Sequence, residues 1–140
     1  HASAADQVVK IVTLGDSITK GVRPGVTAGE TYAALLEAGL KAEGVAAEVI
    51  NVGIGGERTD QALKRLDRDV IVRGPQLVTV MYGTNDSYVD RGAKKSRLPL
   101  DVYKANLKRI VDLLRARGIE PVLTPPATQS LAPLPLHQVA

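Results

Sequence analysis

The chain has 140 residues, 44% hydrophobic and 24% charged, which supplies apolar material for one packed core and leaves too little length for a second domain. Eighteen Lys and Arg against fifteen Asp and Glu leave a net charge of +3, spread along the chain rather than gathered into the basic stripe of a nucleic-acid binder. With no Cys and only His1 and His137, disulfide scaffolds and Cys/His zinc sites are excluded and an all-oxygen metal site stays open, while four Tyr without Phe or Trp leave few stacking platforms.

At the N-terminus, Ala2-Ser3-Ala4 has the A-x-A form left by signal-peptide cleavage in a secreted or periplasmic protein, and equally the form of a cloning scar. No charged n-region or apolar h-region accompanies it, and the lack of an initiator Met reads as processing or truncation at this end. The first element is the β-branched run Val8 to Leu14, ended by Gly15, which predicts a buried strand. After a loop containing Gly21, Pro24 and Gly25, Thr27-Ala28-Gly29-Glu30 has the form of a capping box and predicts a helix start. Tyr32, Leu35, Leu36 and Leu40 then share one helical face, and Gly44 supplies a stop.

Residues 48–52 predict a second strand running into the glycine turn Gly53-Ile54-Gly55-Gly56. A helix follows, with Thr59 as its expected N-cap and Leu63, Leu66, Val70 and Ile71 on its apolar face, closed by Gly74-Pro75. Asp60, Asp67 and Asp69 with Arg65 and Arg68 read as its solvated face. Residues 76–82 predict a third strand; its apolar run from Leu77 to Tyr82 is far shorter than the roughly 20 residues a membrane helix needs. The polar loop 83–97 includes a charged tip at Lys94, Lys95 and Arg97. Pro99 and Asp101 open a helix with the stripe Tyr103, Leu107, Ile110, Val111 and Leu114, closed by Gly118. Residues 121–124 predict a fourth strand, and residues 125–140 hold four prolines and no clear period.

Strands alternating with helices over short connections predict one α/β domain with a parallel sheet covered on both faces. In such sheets ligands collect beyond the carboxyl ends of the strands. Three polar turns fall there: Gly15-Asp16-Ser17, Asn51 to Thr59, and Gly83-Thr84-Asn85-Asp86. Each alone reads as an ordinary turn. The first is not a G-x-S-x-G elbow, because residue 19 is Thr, and it is not a P-loop, because no GK[ST] follows. The second fails as a dinucleotide fingerprint, because Arg58 stands where the third glycine belongs. Asn85-Asp86-Ser87 is formally a glycosylation sequon, but an asparagine beside a proposed pocket is a poor acceptor.

Together and in order, Gly15-Asp16-Ser17-Ile18-Thr19, Asn51-Val52-Gly53-Ile54-Gly55-Gly56 and Gly83-Thr84-Asn85-Asp86 closely resemble the blocks of the GDSL, or SGNH, hydrolase family. The resemblance spans about residues 8 to 126 and implies a flavodoxin-like three-layer α/β/α fold. It also implies hydrolysis of small carboxylic esters, on carbohydrate or lipid among others, with no cofactor. It casts Ser17 as the nucleophile, and the Ser17 and Gly56 backbone N–H groups with the Asn85 side chain as the oxyanion hole. Asp16 is expected to support the turn rather than serve as the triad acid, and the shares of Gly53 and Gly55 stay open.

The family's further block, Asp-x-x-His, is not found, nor are the strand and helix the family places after the fourth strand. His137 stands in Leu134-Pro135-Leu136-His137, with no Asp or Glu after Glu120. In subtilisin, loss of the catalytic Ser or His alone costs about 10⁶ in kcat, and an oxyanion hole with substrate binding retains about 10³–10⁴ over water. A base is therefore expected from a segment beyond this chain, from a second chain, or from His137 as an imperfect substitute. The rival expectation is a non-catalytic binding module or degenerate relative. A flavodoxin-like nucleotide or phosphate binder is a third, resting only on topology and the glycine turn.

Overall fold

In the computed structural model, which describes residues 7–21 and 27–124, the β-branched run Val9–Gly15 forms the inner strand β1. From Ile11 onward every residue of β1 is buried, as befits a parallel strand covered on both faces. Strand β2 (Ala47–Asn51) pairs with one edge of β1 and β3 (Leu77–Met81) with the other, and β4 (Glu120–Leu123) pairs outside β3. All pairings are parallel, in the order β2-β1-β3-β4. Each predicted strand lies within one residue of its place. The order is that of a flavodoxin-like sheet, in which the chain reverses direction between β1 and β3, and the crevice opens at that reversal.

The helices are α1 (Ser17–Lys20), α2 (Tyr32–Ala42), α3 (Thr59–Asp69) and α4 (Leu100–Arg115). Leu66, Val70, Ile110 and Leu114 from α3, the turn after it and α4 pack on Val12, Leu14, Val78 and Val80, all essentially inaccessible to water. Each such aliphatic side chain contributes roughly 1.5–3 kcal/mol relative to exposure. Gly44 and Gly118, both with positive φ, follow α2 and α4 as the sequence predicts.

Two local expectations are corrected. The Thr27 to Glu30 capping box is present, with the Thr27 N–H donating to Glu30 Oε1 at 2.8 Å, but it heads a single 3-10 turn. The α-helix begins one turn later, where Thr31 Oγ1 accepts the Ala34 N–H at 3.2 Å. The predicted apolar face of α2 is only partly buried: Leu35 is 60% exposed and Ala33 is the helix's buried residue. The cause is position, because α2 packs against β2, an outer strand, and has less sheet to cover.

Gly53 and Gly39 put opposite demands on a side chain. A Cβ on Gly53 would run into the backbone N of Lys20 and lie 2.8 Å from its Cα, so one backbone or the other must move. Gly39 lies inside α2, where a Cβ would meet nothing within 4 Å. Urea denaturation should find Gly53→Ala destabilising by about 1–3 kcal/mol through overpacking. Gly39→Ala should be stabilising by about 0.5–1 kcal/mol through helix propensity.

Candidate active site

The three polar turns meet where the sheet reverses. Asp16 is the N-cap of α1, its Oδ1 accepting the Ile18 N–H at 3.0 Å, so Ser17 opens the helix at the tip of β1 and is exposed. The turn after β2 lies against it. Asn51 donates its side-chain amide to the carbonyls of Thr19 and Lys20 at 3.0 and 3.2 Å, taking up acceptors at the end of α1, and its Oδ1 receives the Gly53 N–H at 2.9 Å. The Ile54 N–H donates to the Gly15 carbonyl at 3.0 Å. A Cβ on Gly55 would stand 3.8 Å from the Ser17 Cβ, which puts the glycine turn beside the serine. Gly56 has φ +76°, the left-handed conformation that suits glycine.

The turn after β3 closes the group. Asn85 donates from Nδ2 to Asp16 Oδ2 at 3.3 Å and to the Glu57 carbonyl at 3.2 Å, touching both other turns at once. Asp86 is fully buried and accepts the Thr59 N–H at 3.0 Å and the Thr59 hydroxyl at 2.5 Å, while Asn106 of α4 donates to that hydroxyl at 3.1 Å. Thr59 is therefore not the N-cap the sequence suggests. It is the first residue of α3, and Asp86 satisfies its N–H from the β3 turn.

Beneath the glycine turn lies a cluster that the helical pattern conceals. Arg65, expected on a solvated face, is 4% exposed and grips Glu57 with two bonds of 2.7 and 2.6 Å while donating to the Val52 carbonyl at 2.6 Å. The Tyr82 hydroxyl completes the site, donating to Glu57 Oε1 at 2.5 Å. Burial works against the Arg65 charge, but the hydrogen bonds and charge of Glu57 outweigh it and hold its pKa above the ordinary arginine value. Burial, reinforced by Glu57, pushes the Tyr82 phenol well above its ordinary range and keeps it a donor. The signal that could have found Arg65 is spacing: it falls three residues after Ala62 and next to Leu66, on the buried stripe of α3. Asp60, Asp67, Asp69 and Arg68 do lie toward solvent, Asp60 and Asp69 partly covered.

Burial also pushes the Asp16 carboxyl above the usual range, with Asp86 and Glu57 adding to the effect and the Ile18 N–H opposing it. Among the described residues no group of three or more His, Cys, Asp or Glu is placed to hold a metal, and no helix is long and apolar enough to cross a membrane. His1, His137 and the Leu134 to His137 stretch lie outside the described residues, so the described arrangement is a serine turn flanked by the glycine turn and by Asn85. Replacing Arg65 by Met strands Glu57 without its cation. Equilibrium denaturation should show a loss of about 3–5 kcal/mol, part of which returns when Glu57→Gln is added.

The model of the GDSL-like lipase/acylhydrolase family matches residues 13–139. An arylesterase of Vibrio mimicus is 31% identical over 122 residues, 86% of this chain and 56% of its own length. Among solved structures, AlinE4, an SGNH-hydrolase family esterase, superposes with a TM-score of 0.71 at 32% identity, over 84% of this chain and 58% of its own. The acetyl xylan esterase AlAXEase gives a TM-score of 0.68 at 28% identity, over 82% of this chain and 57% of its own. The chain spans 31% to 56% of the length of five curated relatives and 57% to 59% of the length of eight solved ones. With its parallel sheet and a match over most of its residues, the chain belongs to the GDSL-like lipase/acylhydrolase family, the SGNH hydrolases.

Proposed function

We propose that this chain carries the nucleophile and oxyanion hole of a serine ester hydrolase. Ser17 Oγ attacks the ester carbonyl while its proton passes to a base; the new C–O bond converts the carbonyl oxygen into an oxyanion. The Ser17 and Gly56 N–H groups and the Asn85 amide receive that oxyanion, whose collapse breaks the bond to the alkoxide, which takes the proton from the base and leaves as the alcohol, with an acyl-serine remaining. Water, deprotonated by the same base, then releases the carboxylic acid and restores Ser17. The observation that carries this reading is the bond from Asn85 to Asp16, the residue just before Ser17, which sets a side-chain donor against the serine turn from the neighbouring strand. The described residues include no histidine, so the base comes from residues outside them, from His137 or from a segment or second chain bearing Asp-x-x-His.

The substrates that fit are small carboxylic esters with acetyl or other short acyl groups, on a carbohydrate or lipid alcohol. The acetyl xylan esterase among the structural relatives supports the acetyl end of that range. No step calls for a cofactor.

A fluorophosphonate probe followed by peptide mass spectrometry tests the reading directly. Ser17 should take the adduct, Ser17→Ala should abolish both labelling and cleavage of p-nitrophenyl acetate, and Asn85→Ala should slow cleavage about 10²–10³-fold in kcat. Turnover retained by Ser17→Ala overturns the assignment. Ligand binding without labelling favours a non-catalytic relative instead.

A further inference from the structure

The side-chain nitrogen of Asn85 has two N–H groups, and acceptors claim it from two sides: Asp16 Oδ2 at 3.3 Å and the Glu57 carbonyl at 3.2 Å. Both neighbours are acceptors only, so they select the amide face that donates and reject the flipped rotamer that would turn the Asn85 oxygen toward a developing oxyanion. Both bonds are long. A charged oxyanion, which draws N–H donors to about 2.7–2.9 Å, therefore competes for one of these protons without displacing a strong partner.

Asp16 uses its other oxygen to cap α1 through the Ile18 N–H. That duty does not require a charge, since Asn caps a helix about as well as Asp. Yet Asp16 is 1% exposed, and its burial, with added repulsion from Asp86 and Glu57, makes its charge costly. What Asn cannot do at residue 16 is accept from Asn85 while capping Ile18, because its amide nitrogen would stand where Oδ2 now stands.

We propose that Asp16 is a positioning residue for the oxyanion hole: one carboxylate joins the first turn of the serine helix to the Asn85 donor and fixes which way that amide faces. This rests on the ester-hydrolase reading, in which Asn85 donates to the oxyanion. Ser17 and Asn85 thereby move as one body although β1 and β3 deliver them separately.

The test is Asp16→Asn, studied by three measurements on the chain. The Asn85 side-chain amide cross-peaks in a ¹⁵N-labelled sample should shift and lose protection from exchange. The fluorophosphonate inactivation rate constant at saturation should fall about 10–100-fold, the scale of a misplaced catalytic group, with the probe's half-saturation concentration unchanged. Because burial raises the Asp16 pKa, the folded state gains stability from a protonated Asp16 at low pH, and that gain is lost as pH rises through the folded value. A neutral Asn removes that cost at neutral pH but sets its amide nitrogen against the Asn85 donor, so the two effects oppose and Tm should stay close to that of the wild type. Unmoved Asn85 cross-peaks, or labelling within twofold of the wild type, overturn the proposal; so does a lowered Tm with activity lost in proportion, which is the mark of a merely structural residue. If the wild type does not label even when a segment bearing Asp-x-x-His accompanies it, the hydrolase reading falls, while the Asn85 cross-peaks still decide whether Asp16 holds the amide.

Discussion

The arrangement of the site depends on one buried ion pair. Arg65 reaches from α3 beneath the glycine turn and holds its two ends, through the Val52 carbonyl and the Glu57 carboxylate. Burying two opposite charges in so small a fold is unfavourable unless their hydrogen-bonding capacity is nearly filled. Here bidentate contact, the Val52 carbonyl, the Tyr82 hydroxyl and a further contact from Arg65 to Asp69 fill it. The same pair links the exit of β2, the body of α3 and the end of β3. A turn rich in glycine would otherwise sample many conformations; the guanidinium limits it to one.

Around that clamp the neighbouring groups have separate tasks. Asn51 ties the end of α1 to β2, and Gly53 lets the two backbones touch. Asp86 anchors the β3 turn on α3, and Asn106 secures the same hydroxyl from α4. Asp16 and Asn85 connect the serine turn to the β3 turn. The serine turn, the glycine turn and the β3 turn are thereby bonded to one another through polar groups that, Asn51 apart, are buried or half-buried. Such networks cost stability if any member is missing and confer a single geometry when all are present.

How much of this the sequence discloses follows from the range of each interaction. The strands are legible because β-branched runs bounded by glycine and proline are local signals, and the α4 stripe is legible because it is long and periodic. The start of α2 is ambiguous in sequence because two nearby threonines both cap, Thr27 a 3-10 turn and Thr31 the α-helix, and local chemistry does not rank them. The exposure of Leu35 is hidden for a different reason: the helical period shows which residues share a face but not how much sheet lies opposite. The roles of Thr59 and Arg65 escape a helical reading because their partners, Asp86 at a separation of 27 residues and Glu57 at 8, come from outside the helix. Ser17, Gly56 and Asn85 stand out only through family resemblance, since each sits in a turn that would be unremarkable by itself.

If Asn85 and the glycine turn form the proposed oxyanion hole, the polar contacts around them hold its shape independently of a base. Donors aimed at a developing charge are effective when no reorganisation is left for the reaction to perform, and the contacts that hold Asn85 and the glycine turn all arise among β1, β2, β3, α1, α3 and the turns that join them. None involves an imidazole. In the proposed hydrolase, a base brought to Ser17 from outside the described residues meets a serine turn beside which Asn85 is already held, one of its N–H groups exchanging a long bond for the oxyanion. Proton transfer would then require only the alignment of that base with Ser17 Oγ, which leaves the architecture of the glycine turn unchanged. The buried carboxyl groups of Asp16, Glu57 and Asp86 fit that proposal, because each fixes Asn85 or a supporting turn.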